Sequence, residues 1–192
     1  MTSHKHKFIF IHIPKTGGLS LKTEFLDRQN LPNEVYGRHK RPASYYKNNK
    51  NHFKFTFVRN PWDRFVSCYF YFKKYGRRRG FDKLTGEIIN RYSNFNEFCL
   101  GLNEALPNIK SWHFKQMSFW IDSPIDFIGR FENFQEDFNT ICDKIGIPQR
   151  ALPHKNKSKH KHYTEYYDDE TREIVAEKYA QDIEYFGYKF GE

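Results

Sequence analysis

The chain has 192 residues, with 32 Lys and Arg against 23 Asp and Glu, a formal net charge of +9. This length supports one folded domain with its own core, and 19% aromatic residues exclude a disordered polyelectrolyte even with 29% of positions charged. The charge draws in anionic ligands: nucleic acid is the generic partner of such a surface, and a multiply charged small molecule with an acidic acceptor accounts for it equally well.

The elements follow in order. Phe8-Ile9-Phe10-Ile11-His12-Ile13 is an apolar run that predicts a strand over 7–13, followed by a helix over 18–28 and an irregular basic stretch to about 52. Residues 53–59 read as a second strand and 61–75 as a helix, with Asn60 as its N-cap, Pro61 at its first position and Asp63 at its third. Arg77-Arg78-Arg79-Gly80 breaks that helix and opens a polar loop, and Asn94–Leu102 is a short helix with Phe95, Phe98, Cys99 and Leu102 on one face. A third strand is expected over 125–129. The helix after it carries a stripe of Phe131, Phe134, Phe138, Ile141 and Ile145, closed by Gly146 and Pro148. A final helix over about 169–181 begins at Asp168-Asp169-Glu170. Alternating strands and helices predict an α/β fold: a central parallel sheet with helices on both faces, in one domain over residues 1–192. Cys68, Cys99 and Cys142 sit in apolar helical patterns without a C-x-x-C pair, so they read as small core residues. No run approaches membrane-span length and no signal-type core precedes the first strand, so a soluble cytoplasmic protein is the expectation.

Two segments carry chemistry. In Ile13-Pro14-Lys15-Thr16-Gly17-Gly18-Leu19-Ser20, a strand, a glycine turn and a helix start converge. Unpaired N–H groups and the positive helix end meet there, Lys15 adds a charge, and Thr16 and Ser20 add hydroxyls. A Walker A loop places its Lys after a longer glycine loop, so this compact, P-loop-like turn fits one terminal anionic group better than a triphosphate. An ordinary strand-to-helix turn remains the alternative. The second segment is Arg59-Asn60-Pro61-Trp62-Asp63-Arg64-Phe65-Val66-Ser67. It puts Arg59 at the carboxyl end of a strand, where open α/β sheets bind ligands, and Ser67 about two turns into the next helix. Arg59 and Ser67 suit a second phosphate; a helix-capping or ion-paired Arg59 is the alternative.

These segments resemble the sulfotransferase family 2 type of carbohydrate sulfotransferase, the group that holds the heparan sulfate 2-O- and chondroitin sulfotransferases. Residues 14–20 look like its 5′-phosphosulfate loop and residues 59–67 like its 3′-phosphate segment. Ile128-Gly129-Arg130-Phe131-Glu132-Asn133-Phe134, Leu152-Pro153-His154-Lys155-Asn156-Lys157-Ser158 and the 179–188 tail match in the same order, so the likeness spans nearly the whole chain. The resemblance implies 3′-phosphoadenosine-5′-phosphosulfate (PAPS) as sulfuryl donor and adenosine 3′,5′-bisphosphate (PAP) as product. It assigns Lys15, Thr16, Gly17, Gly18, Leu19 and Ser20 to the 5′ end of the donor and Arg59 and Ser67 to the 3′-phosphate. Arg130, Lys157 and Ser158 are expected to close over the nucleotide. The acceptor it implies is a carbohydrate hydroxyl, an acidic polysaccharide being one such acceptor.

In-line transfer needs a base for the acceptor proton. Four of the nine histidines lie in the Lys/His runs at 4–6 and 160–162, which read as solvated surface. His39, in Gly37-Arg38-His39-Lys40-Arg41-Pro42, falls where relatives of the 2-O type carry their catalytic His, and His113 is the runner-up; His12 and a carboxylate stand behind them. Lys15 is expected against the departing phosphate oxygen. No metal is expected: lysines interleave His154, His160 and His162, and Lys with backbone N–H groups can serve the less charged sulfuryl group. Two other classes stay open. A nucleoside or small-molecule kinase would need an acidic Mg²⁺ ligand, for which Asp126 is the candidate, and a non-enzymatic polyanion binder rests on charge alone.

Overall fold

The computed structural model describes residues 1–25, 41–75, 81–153 and 161–192. Four strands, β1 (Thr2–Ser3), β2 (Phe8–Ile11), β3 (Phe53–Val58) and β4 (Phe127–Arg130), form one sheet in that order. The helices of the described residues are α1 (Gly18–Thr23), α2 (Pro61–Tyr75), α3 (Phe81–Ile89), α4 (Phe95–Leu100), α5 (Leu102–Ala105), α6 (Phe134–Ile145), α7 (Asp169–Lys178) and α8 (Ala180–Phe186). The class is α/β, as the alternation predicts. Residues divide into two compact units, 1–59 with 117–157 and 60–116 with 158–192.

The first unit holds the sheet. β2, β3 and β4 run parallel, with Ile11 opposite Thr56 and Val58 opposite Arg130. Phe8, Phe10, Phe55 and Phe57 share one core with Leu21 and Phe25 and with Phe138, Ile141, Cys142 and Ile145 of α6. Ile9, Ile11, Thr56 and Val58 alternate with those phenylalanines and are buried as well. Both faces are therefore covered, and this is why β2 reads as an unbroken apolar run, while β3 alternates phenylalanine with Lys54, Thr56 and Val58. β1 departs from the expected all-parallel sheet. This two-residue strand pairs antiparallel with β2. The Met1 ammonium donates to the Phe10 carbonyl, and Phe10 N–H donates back to Met1, both at 2.8 Å. Main-chain pairing of this kind leaves no mark in a polar sequence. Gly146 ends α6 at φ 67°, and Ile147 N–H reaches the Cys142 carbonyl, the left-handed cap expected there.

The second unit is helical and aromatic. α2 covers the expected 61–75, and Asn60 Oδ1 accepts from Trp62 N–H at 3.1 Å. Phe65, Tyr69 and Phe72 of α2 pack with Phe95, Phe98, Cys99, Phe114 and Tyr179. Phe65 and Phe98 stack at 5.7 Å, and Phe65 meets Tyr179 edge-on at 6.0 Å. α3 replaces the polar loop expected after residue 80. Thr85 and Ile89 are fully buried at a helical spacing of four, a signal masked by Gly86 and the charges beside it. Gly101 splits the 94–102 helix into α4 and α5, and Tyr179 splits the last helix into α7 and α8. Tyr179 is buried, and its hydroxyl donates to the Phe114 carbonyl at 3.0 Å, a tertiary demand that the helix yields to. Asp168 caps α7 by accepting from Thr171 N–H at 2.8 Å, as its acidic start suggests. Among the described residues no helix is long and apolar enough to cross a membrane.

Candidate functional site

Because β2, β3 and β4 are parallel, the chain leaves all three at the same edge of the sheet, at His12, Arg59 and Phe131. That edge is where an α/β sheet presents ligand-binding groups. The loop after β2 is tightly wound. Lys15 has φ 70° and Gly17 φ 84°, so a non-glycine residue is held in the left-handed region beside a glycine that favours it. A Cβ at Gly17 would lie 2.5 Å from the Phe134 ring, and one at Gly18 would lie 2.0 Å from His12 Nε2. Conformation favours glycine at 17, and a side chain at 17 or 18 would have to displace the Phe134 or His12 ring. Gly18 begins α1, where Ser20 N–H donates back to the Gly17 carbonyl at 2.9 Å and the N–H groups of Gly18 and Leu19 precede the helix's own acceptors. Leu19 is exposed and Ser20 is buried.

Thr16 departs from expectation. Its side chain is fully buried, and its hydroxyl donates to the Ile13 carbonyl at 2.9 Å. That proton braces the turn, so the N–H is the group Thr16 has to offer a ligand.

Arg59 and the loop meet directly. Arg59 Nη1 donates to the Lys15 carbonyl at 3.2 Å, and its guanidinium carbon lies 4.2 Å from the centre of the Phe131 ring. Arg59 N–H donates to the Met117 sulfur at 3.5 Å. The left-handed turn at Lys15, the residue after β3 and the residue after β4 therefore form one continuous contact. The two expected phosphate segments come together through Lys15 and Arg59. Phe131 and Phe134 are the contributors that the sequence reading missed: their spacing made them look like core stripe alone, and they also support Arg59 and Gly17.

Arg130 ends β4 at this edge, and its N–H donates to Asp137 of α6. Asp126 precedes β4, where its carboxylate accepts from Lys54 N–H at 2.7 Å and its own N–H donates to the Lys54 carbonyl. That is the opposite edge from Lys15, so the one carboxylate a kinase reading offered stands away from the loop. His12 stacks on Phe10 at 5.4 Å beside Gly18. His39, Lys157 and Ser158 lie outside the described residues, as do His154 and His160.

In the second unit, Ser67 lies on α2 at 6% exposure. His113 pairs its Nδ1 with the Ser111 hydroxyl at 2.8 Å and stacks on Tyr71 at 5.2 Å. Its carbonyl accepts from Arg64 and from the Cys68 thiol. A groove lined by Trp62, Ile183 and Phe190 also carries Glu170, Glu173, Glu177 and Glu184, the wrong sign for an anionic ligand. Among the described residues no cluster of three or more His, Cys, Asp or Glu is arranged to hold a metal ion.

The family model of the sulfotransferase family matches residues 1–189. Carbohydrate sulfotransferase 14 of Danio rerio is 24% identical over 231 aligned positions, covering 98% of this chain and 61% of that protein. Carbohydrate sulfotransferase 14 of Mus musculus is 25% identical over 80% of this chain, and human carbohydrate sulfotransferase 9 is 23% identical over 93%; each match covers 47% of the relative. The chain thus spans about half to three fifths of the length of these relatives. No solved structure matches it. The loop geometry and the length of the family match lead to one conclusion: this chain belongs to the sulfotransferase family.

Proposed function

We propose that the chain transfers a sulfuryl group from PAPS to a hydroxyl of a carbohydrate. The observation that carries this reading is the link from Arg59 Nη1 to the Lys15 carbonyl, which joins a wound anion loop to an arginine at the next strand end. A nucleotide with phosphates at both ends of its ribose asks for two such groups side by side, whereas a nucleoside triphosphate asks for a longer loop and a metal-binding carboxylate.

The residues fit the donor. Lys15 and the first N–H groups of α1 supply positive charge and fixed dipoles for the phosphosulfate end. Arg59 rests its face on Phe131, and its planar guanidinium suits the 3′-phosphate. Ser67 as a second contact, and Lys157 and Ser158 as covering residues, are carried by the resemblance. PAPS supplies the sulfuryl group and a stable leaving group. The acceptor oxygen forms its bond to sulfur as the bond from sulfur to the 5′-phosphate oxygen breaks. The acceptor proton passes to a base, for which we keep His39, and Lys15 balances charge on the departing oxygen. Holding Lys15 in a left-handed conformation costs about 1–3 kcal/mol, and such strain is retained where it fixes a reacting group.

The test is transfer of labelled sulfur from PAPS to a panel of glycans. Label in an acidic or neutral glycan supports the reading, whereas phosphate transfer from ATP with none from PAPS would replace it with the kinase class.

A further inference from the structure

The unit that carries Lys15 and Arg59 also carries an exposed tyrosine beside an arginine on a short turn. Residues 35–62 contain seven Lys or Arg and no Asp or Glu. Within them, Ala43–Tyr46 forms a short 3-10 turn. Ser44 clamps it: its N–H donates to one carboxylate oxygen of Asp122 at 2.8 Å and its hydroxyl to the other at 2.5 Å. Ala43 and Tyr46 are buried and anchor the turn, while Tyr45 between them is 61% exposed. The Arg41 guanidinium lies 4.8 Å from the centre of the Tyr45 ring, and Tyr46 meets that ring edge-on at 5.0 Å. Lys47 follows in solvent.

A single exposed tyrosine is ordinary. A tyrosine held on a clamped turn, with an arginine over it and no carboxylate in the surrounding 28 residues of sequence, is a recognition surface of definite chemistry. The ring offers a flat apolar face to the C–H face of a pyranose, and the arginine fork pairs with a planar or tetrahedral anion. Asp122 is the acid beside the turn, and both its oxygens are engaged by Ser44. A neutral sugar would leave the cations unmatched, and a free phosphate would leave the ring unused.

We propose that Arg41 and Tyr45 form a subsite for an anionic sugar, a uronate or a sulfated residue of the acceptor. This rests on the reading of the chain as a carbohydrate sulfotransferase. The test titrates the full chain with a hyaluronan octasaccharide, which carries carboxylates alone, and a heparin octasaccharide, which adds sulfates. Tyr45→Ala, which changes no charge, should weaken the better-bound sugar about 5- to 10-fold, with Arg41→Ala falling as far and Tyr45→Phe keeping affinity. Lys5→Ala, an exposed lysine before β2, should change it less than about twofold. Wild-type affinity in Tyr45→Ala, equal losses in Lys5→Ala and Arg41→Ala, or no binding of either sugar by the wild type would each overturn the subsite. In turnover, Tyr45→Ala should raise the acceptor KM and leave kcat and donor affinity alone. Transfer by the wild type with a KM indifferent to Tyr45 removes the subsite and keeps the sulfotransferase. Tyr45-dependent sugar binding without any transfer does the reverse.

Discussion

Arg59 follows β3 in the first unit, and Arg64 lies one turn into α2 in the second. Both come from the same nine-residue segment, yet the structure uses them differently. Arg64 is 1% exposed, and its Nη2 donates to the carbonyls of His113 and Lys115, each at 2.8 Å. Arg59 is 8% exposed, donates from Nη1 to the Lys15 carbonyl at 3.2 Å, and lies over the Phe131 ring. The first is a framework cation that satisfies main-chain acceptors in an aromatic core. The second lies at the strand end, with one face on the Phe131 ring and a bond to the wound loop, where a planar fork suits an anion. The two arginines look alike in sequence, and the groups each side chain touches separate them.

The largest effect expected from this contrast is on stability. Arg64→Leu takes a charged donor from two carbonyls, of which that of His113 keeps the Cys68 thiol, so urea denaturation should show a loss of roughly 3 kcal/mol. A loss below about 1 kcal/mol would mean that Arg64 is no strut.

Lys15→Ala should cost kcat roughly 10²-fold or more, as loss of a charge stabiliser does. Lys15→Gly should lose the same rate while relieving the left-handed backbone. Its stability should hold or rise by up to about 1 kcal/mol once the entropy of glycine is set against the strain. Near-normal turnover in either variant would remove Lys15 from the chemistry.

Arg59→Ala should weaken PAP by about 1.5–3 kcal/mol and leave adenosine 5′-monophosphate nearly unchanged, with a smaller stability loss than Arg64→Leu. Equal losses for both nucleotides would make Arg59 a second strut and dissolve the contrast.

The smallest effect concerns alkaline pH. Burial, followed by the charges of Glu24 and Asp143, pushes the Cys142 thiol up to about 12 from its usual 9.0. A thiol that stays protonated when folded contributes stability that is complete below pH 9 and is lost as pH rises toward 12. Tyr69 in the other unit is likewise pushed up to about 12, first by burial. Stability should therefore fall from about pH 9 upward, and Cys142→Ala should flatten part of that fall. An unchanged slope would show that the thiol does not titrate on unfolding.

The parts legible in sequence are those with a local cause. An apolar run gave β2, aromatic and β-branched residues gave β3, the Asn60-Pro61 start gave α2, and the phenylalanine stripe with Gly146 gave α6. The two segments expected to bind phosphate meet where Arg59 donates to the Lys15 carbonyl. What stayed hidden depends on distant partners. β1 exists through main-chain pairing to β2, α3 buries Thr85 and Ile89 beneath a charged exterior, and Tyr179 breaks a helix to reach the Phe114 carbonyl. The inward turn of the Thr16 hydroxyl and the seat of Arg59 on Phe131 are side-chain choices that spacing does not encode.

The central claim is that the Lys15 loop and Arg59 together hold a nucleotide phosphorylated at both ends of its ribose. Titration calorimetry of the unaltered chain with PAP and with ATP tests it most directly. The account predicts that PAP binds at least about 10-fold more tightly than ATP, a difference of about 1.4 kcal/mol that one charge-assisted phosphate contact supplies. Equal affinities, or a preference for ATP, would contradict it.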